Sequence, residues 1–496
     1  MTTIDSPKNE EKNGRALFDR EQPKQAVTLP PKKVLASRLV STSSATTTRP
    51  TTNPILKSNS AITSTSQLKR RPSASLDNST REKRPNMSQN VKPPVPKSSK
   101  GITQSEKIVQ ACISHYGPYF INDKKTDSPL RVALEYPGAV EPESFLLLKP
   151  VLKNTPAKAI DDDDEDKDEY NPITDIMRTS ELIYDCYLLP EEQRLLGNQS
   201  DGIMRNLTKY RNRRNGTGFV QAVNDFNRVV RQLKDEGVFS KNAKEMGNPN
   251  YELACHILYQ VYSHTVARQA EALNNYQAFS NNVYGEINPI LVKEFISKTN
   301  MTSESVFMDM GCGIGNVVLQ VAAQTGCEAY GIEIMETPCK FAKRQLKEYA
   351  ARMKAWRLPT GKIHFRHGDF LDVAANDLYS TLKRADVLLV NNYAFDAATN
   401  QNLAQLFLDL KEGTKIISLK SFVPKNHKIN QRTQYMPESI LEVQKFEYFS
   451  EAVSWTNNGG MYYIATVDRT RLKSYCETSS RYGRSSRSAS SSTNSD

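Results

Sequence analysis

The stretch VFMDMGCGIGNVVLQ, residues 306–320, decides the fold. An apolar, strand-like segment reaches an acid, Asp309, passes through three glycines in five residues and leaves as a second apolar run. Glycine has no side chain to hold a ligand off and tolerates positive φ, so such a turn between strand and helix brings backbone close to a ligand. It predicts a site for a nucleotide-like cofactor. A dinucleotide fingerprint reads GxGxxG; the spacing here is GxGxG, at Gly311, Gly313 and Gly315.

Downstream, strand-like and helix-like segments alternate: AYGIEI then CKFAKRQLKEYAARMKAW, then IHFRH, DVLLV, NLAQLFLDL and KIISLK. Near-continuous apolar strands alternating with helices predict an α/β fold, its sheet mostly parallel and covered on both faces. Two late segments, VQKFEYF and YYIATV, are expected to add an antiparallel edge. Upstream, residues 179–272 read as mainly helical. ACHILYQVYSHTVARQAEAL spaces Ile257, Leu258, Val261, Tyr262 and Val266 as an amphipathic helix would, and His256 and His264 beside them read as packing or surface residues.

Two further acids sharpen the cofactor reading. Glu333 ends the strand after the turn, where an acid accepts hydrogen bonds from both ribose hydroxyls. Asp369, in HGDF at the end of the next strand, is placed to bond an adenine amino group, with Phe370 covering the ring. Turn and acids form one crevice at the strands' C-terminal ends. The set resembles class I S-adenosylmethionine-dependent methyltransferases, which implies that cofactor and a seven-stranded, Rossmann-like sheet. VLLVNNYAFD then puts Asn391 and Asn392 at the sheet edge, facing the transferable methyl group, where an amide oxygen can accept a hydrogen bond from an amine. Adenine-N6 methyltransferases use a similar position with an Asn-Pro-Pro-aromatic turn, and the prolines are absent here.

Ordered segments carry a closer resemblance: NNYQAFSNNVYGE (residues 274–286), VFMDMGCGIGN, VNNYAFD, IISLKSF and AVSWTNNGGMYY. Together they resemble the DOT-type (disruptor of telomeric silencing) histone methyltransferases over roughly residues 166–475, and the acidic block and basic arm look like the fungal branch. The resemblance implies a histone H3 lysine-79 N-methyltransferase acting on the nucleosome disc face. It implies cofactor contacts from Tyr284, Gly285, Glu286 and Ile287, from Phe307, Met308, Asp309, Met310, Gly311, Cys312, Gly313, Ile314, Gly315 and Asn316, and from Glu333, Asp369 and Phe370. It implies a lysine channel walled by Phe279, Asn391, Trp455 and Tyr462, with Tyr463 the packing member of its pair. Asn391 is expected to align the amine, with no obligatory protein base. Ile287 stands where some members have a hydroxyl residue, and Cys312 where a serine is common. An adenine methyltransferase and a chromatin-binding scaffold without catalysis stay open as alternatives.

The 496-residue chain carries a net charge of +11. Residues 1–100 hold 19 basic and 7 acidic residues, leaving 47 and 48 for the rest. The basicity therefore belongs to an N-terminal arm, which has 27 Ser/Thr and a single aromatic, Phe18. Such a segment buries too little apolar surface to offset its conformational entropy. Residues 1–104 are read as a disordered tether for nucleosomal DNA. KRRPSASLDNSTREKR, residues 69–84, has the two basic clusters of a bipartite nuclear localisation signal, predicting a nuclear protein. Residues 105–165 are expected to hold short strands and an acidic loop, and DDDDEDKDE, residues 161–169, is a solvated loop or a dock for a basic histone tail. The Ser/Arg-rich residues 476–496 are expected to be disordered. No signal-peptide-like series or membrane-length apolar run is found, so no membrane partner is expected. The seven cysteines show no CxxC pair and no zinc-type spacing; reduced thiols, no metal and a monomer are expected.

Overall fold

A computed structural model describes residues 101–120, 128–151, 169–274, 285–372 and 378–488. The arm with its basic clusters, the acidic block up to residue 168, Phe279, Tyr284 and the tail beyond residue 488 lie outside the described residues.

The centre is a seven-stranded sheet. Its strands are β1 (Val306–Met310), β2 (Glu328–Glu333), β3 (Ile363–His367), β4 (Val387–Val390), β5 (Lys415–Ser418), β6 (Leu441–Tyr448) and β7 (Gly460–Val467). In space they run β6-β7-β5-β4-β1-β2-β3. The first five are parallel, and β7 pairs antiparallel with both β5 and β6. This is the class I methyltransferase arrangement, with the expected antiparallel edge in VQKFEYF and YYIATV.

Every residue of β1 is buried, as a strand covered on both faces requires. Alternate residues feed opposite layers: Phe307 joins one apolar cluster, Met308 and Met310 the other. After a short leading helix, Ser105–Ala111, the helices are α1 (Pro172–Tyr187), α2 (Gly202–Asn212), α3 (Gly216–Asp235), α4 (Val238–Met246), α5 (Tyr251–Thr265), α6 (Pro289–Thr299), α7 (Asn316–Thr325), α8 (Glu336–Ala355), α9 (Tyr379–Arg384), α10 (Ala397–Leu406) and α11 (Thr470–Ser488), with shorter helical turns between them. Helix α1 begins at residue 172, ahead of the expected 179, because the Asn171 side chain accepts from the amides of Ile173 and Thr174 and Pro172 fits the first turn. Helix α11 runs into the Ser/Arg-rich stretch read as unstructured; its Leu472 packs against the second cluster and fixes the first turn.

The leading segment docks on the helices. Its antiparallel hairpin, Arg131–Leu134 with Glu143–Leu146, carries Glu143 into the interior. There Arg352 of α8, fully buried, meets both Glu143 oxygens at 2.5 and 2.9 Å, Glu348 Oε1 at 3.0 Å and the Thr103 carbonyl at 3.1 Å. Buried charges survive only when paired and hydrogen-bonded, and this cluster ties Thr103 and the hairpin to α8.

Candidate active site

The glycine turn leaves β1 through three residues of positive φ: Gly311 at 98°, Gly313 at 54° and Gly315 at 86°. The amides of Gly311 and Cys312 donate to the Ile332 carbonyl at 3.0 Å, and the Gly313 amide donates to Glu333 Oε2 at 2.8 Å. Gly315 serves packing instead, since a Cβ there would stand 2.4 Å from the Phe365 ring of β3. It lets α7 approach the sheet closely, while Gly311 and Gly313 form the turn.

Around the turn lies a cavity. Its floor and walls include Asp309, Cys312, Ile314 and Asn316 of the turn, Glu333 with Met335 and Pro338 at the start of α8, Asp369 with Phe370 after β3, and Asn391 after β4. Phe395 also lines it and leans on Phe370, ring centroids 5.7 Å apart. Asp369 Oδ1 accepts from the Leu371 amide, which shapes the loop that presents Phe370. Two acids lie close together here. Burial, then the neighbouring Glu333, pushes Asp309 up to about 8, and burial likewise raises Glu333 against the opposing pull of amide hydrogen bonds. Asp309 is only 3% exposed at the cavity wall.

The far wall comes from a distant part of the chain. Residues 285–288 run beside residues 452–454: Ser454 N donates to the Glu286 carbonyl at 2.9 Å, Glu286 N to Ser454 Oγ at 2.8 Å, and Asn288 N to the Ala452 carbonyl at 2.9 Å. Trp455 follows, its ring so close over Gly285 that a Cβ there would stand 2.7 Å from Cε3. Tyr393 leans on Trp455 at 5.3 Å between centroids. Asn391 Nδ2 donates to the Gly285 carbonyl at 3.5 Å, leaving Oδ1 buried. Asn391 Oδ1 and Trp455 Nε1 are both buried without a hydrogen-bond partner among the described residues. Such atoms cost about 1–3 kcal/mol each if left unpaired, so they suit an incoming polar ligand.

Residues 262–467 match the family model described as histone methylation protein DOT1. The chain is 38% identical over 351 residues to the histone-lysine N-methyltransferase, H3 lysine-79 specific, of Aspergillus fumigatus, covering 71% of this chain and 67% of that protein. It is 37% identical over 362 residues to the protein of the same description from Emericella nidulans, covering 73% and 68%. The chain belongs to the DOT1 family. The Yarrowia lipolytica relative, also described as H3 lysine-79 specific, is 44% identical over 258 residues, 52% of each chain. All the described cavity residues of this DOT1-family methyltransferase fall inside the matched stretch.

The family's methyl donor, S-adenosylmethionine, carries a sulfonium and an ammonium, and Asp309 in its ionised form suits such a cation. The described cofactor residues expected from sequence, with Asn391, divide into three groups, while Trp455 lies over Gly285 outside the cavity lining. Gly285, Glu286, Ile287, Asp309, Gly311, Cys312, Gly313, Ile314, Asn316, Glu333, Asp369, Phe370 and Asn391 share the cavity wall. Phe307, Met308 and Met310 turn their side chains into the apolar layers, and Gly315 packs against Phe365.

Tyr462 is a correction. A strand's side chains alternate between faces, and the register of β7 sends this ring into the core between Phe295 and Phe446, at 5.1 Å from each. Its hydroxyl donates to Glu294 Oε1 at 2.7 Å. Tyr463, the expected packing partner, is the more exposed of the two. Asn392 also departs from the sheet-edge reading. It is buried, accepting from the amides of Leu419 and Lys420 and donating to Asn400 Oδ1, so it pins the loop that presents Asn391. Sequence reasoning missed Met335, Pro338 and Phe395; the signal for the first two was their place directly after Glu333, where a helix begins.

Proposed function

We propose that this chain transfers methyl groups from S-adenosylmethionine to lysine 79 of histone H3 in the nucleosome. The observation that carries it is the buried, unpartnered Asn391 amide oxygen at the edge of an acidic cavity in the DOT1-matched stretch, its Nδ2 held by the Gly285 carbonyl over which Trp455 lies. When bound, the cofactor supplies an electrophilic methyl carbon on a sulfonium. What the protein then contributes is alignment, which can supply a large share of the rate by itself. Asn391 Oδ1 accepts a hydrogen bond from the substrate amine and aims its lone pair. The bond from Asn391 Nδ2 to the Gly285 carbonyl selects that orientation of the amide.

A free lysine, with a pKa of about 10.4, arrives charged. An aromatic, poorly hydrated entrance disfavours the ammonium and yields the neutral nucleophile. Trp455 and Tyr393 supply that surface here, and the family resemblance adds Phe279 to it. We assign nuclear localisation, nucleosomal DNA contact through the basic arm, histone-tail docking on the acidic block and a monomeric state to the same proposal. They are supported by arm charge, motif and composition.

The test is labelled S-adenosylmethionine with intact nucleosomes, in parallel with free H3 and naked DNA or RNA, followed by mapping of the label. Label on H3 lysine 79 supports the assignment, and label in nucleic acid overturns it. Asn391→Ala should cut turnover by about tenfold or more, as expected for a lost alignment contact, and leave cofactor Kd nearly unchanged. Equal losses in both would place Asn391 in the cofactor pocket instead.

A further inference from the structure

The long helix α8 has one face the methyltransferase site does not use. Its inward face, with Phe341, Ala342, Gln345, Tyr349, Arg352 and Met353, is buried. At 3.6 residues per turn, Lys340, Lys343, Lys347 and Lys354 fall within an arc of about 60° on the opposite side, spread over about 21 Å of helix axis. All four are exposed. The only acid on that arc is Glu336, which pairs with Lys340 at 2.8 Å. Lys343 and Lys347 make no ion pair among the described residues. The approach to edge strand β3 and the strand itself add exposed Lys362 and Arg366.

We propose that this stripe is a docking surface for the phosphate backbone of double-stranded DNA. A straight row of solvated lysines complements a straight, regularly charged polyanion. A duplex strand offers a phosphate every 3.4 Å of axis, so 21 Å of stripe faces about six. Lysine acts here as a point charge without directional demands, as sequence-indifferent contact requires. An acidic protein face fits less well. Protein interfaces are poor in lysine and depend on large apolar or aromatic anchors, and no large hydrophobic side chain of α8 is exposed. Helix α8 itself starts at the cavity: Met335, its N-cap, and Pro338 line the cofactor site from the buried side, five and two residues before Lys340. The choice of DNA over other polyanions rests on the nucleosomal substrate proposed above.

The experiment uses the full chain, so that the basic arm is the same in every sample. Binding to a short mixed-sequence duplex is followed across salt for the wild type, for Lys343→Gln/Lys347→Gln/Lys354→Gln and for the matching triple arginine variant. The glutamine variant should bind DNA more weakly, with a log K against log salt slope shallower by about 2–3, from about 0.9 per lost contact. The arginine variant should keep the wild-type slope, and cofactor Kd and Tm should be unchanged in both. Unaltered DNA affinity and slope in the glutamine variant overturns the proposal. So does a loss seen with nucleosomes and not with naked DNA, which would make the stripe a dock for an acidic protein face. The expected slope change in a chain that methylates no nucleosome would support the stripe while overturning the function assigned above.

Discussion

Glu333 holds the turn it serves: its Oε2 accepts from the Gly313 amide at 2.8 Å while its Oε1 accepts from the Met335 amide at 2.7 Å. One carboxylate thus shapes the glycine turn and the start of α8, and still has lone pairs to offer a ribose. Glu333→Ala should weaken cofactor binding by about 2–4 kcal/mol, the sum of two charge-assisted hydrogen bonds. It should also lower Tm, since two amides lose their acceptor. Calorimetry with an unchanged cofactor Kd would remove Glu333 from the ribose position.

Asp309 sets a pH dependence. Its pKa is near 8 in the fold and near 3.8 when exposed, so the folded chain holds a proton that the unfolded chain releases. The ligand-free protein should therefore lose stability as pH rises from about 4 to about 8. A cationic ligand favours the ionised form, so cofactor binding should expel a proton at pH 7 and tighten up to about pH 8. Calorimetry in buffers of different ionisation enthalpy reads the proton directly, and Asp309→Asn should abolish its release. Proton uptake instead would mean that another group governs the site.

Arg352→Met should destabilise the protein by about 3–5 kcal/mol, because it strands Glu143 and Glu348 as buried carboxylates. Adding Glu143→Gln and Glu348→Gln should restore part of the loss. Chemical denaturation of the single and triple variants decides between this and simple cavity formation, for which the added substitutions would bring no recovery.

Tyr462→Phe should cost about 1 kcal/mol of stability through the lost bond to Glu294. Turnover and KM should stay within about twofold, as for an aromatic packing residue that keeps its ring. A large fall in kcat at unchanged stability would return the hydroxyl to the lysine channel.

The cofactor half of the site was legible in sequence because local chemistry dictates it: a glycine turn after an apolar strand, with acids at the ends of the next two strands. The acceptor half was harder to read. Whether a strand residue faces cavity or core depends on register, and a one-residue difference separates Tyr462 from Tyr463. The same holds for Asn391 and Asn392, adjacent residues with opposite roles. The Arg352 cluster left no local signal, since its partners Thr103, Glu143 and Glu348 come from segments far apart in sequence. The helix through the Ser/Arg-rich stretch went unread because composition does not reveal the anchoring contact of Leu472.

The ladder between residues 285–288 and 452–454 has a consequence for assembly. A chain emerging during synthesis would present the glycine turn and both cofactor acids well before Trp455 exists to cover Gly285. Competence at the acceptor side arrives with the last hairpin of the sheet, so the residues that read the methyl donor are in the chain before the place to deliver its methyl group is. Cofactor affinity alone is then a poor proof of a finished enzyme, and the indole fluorescence of Trp455 is the better witness, with Trp356 buried in the core as its constant background.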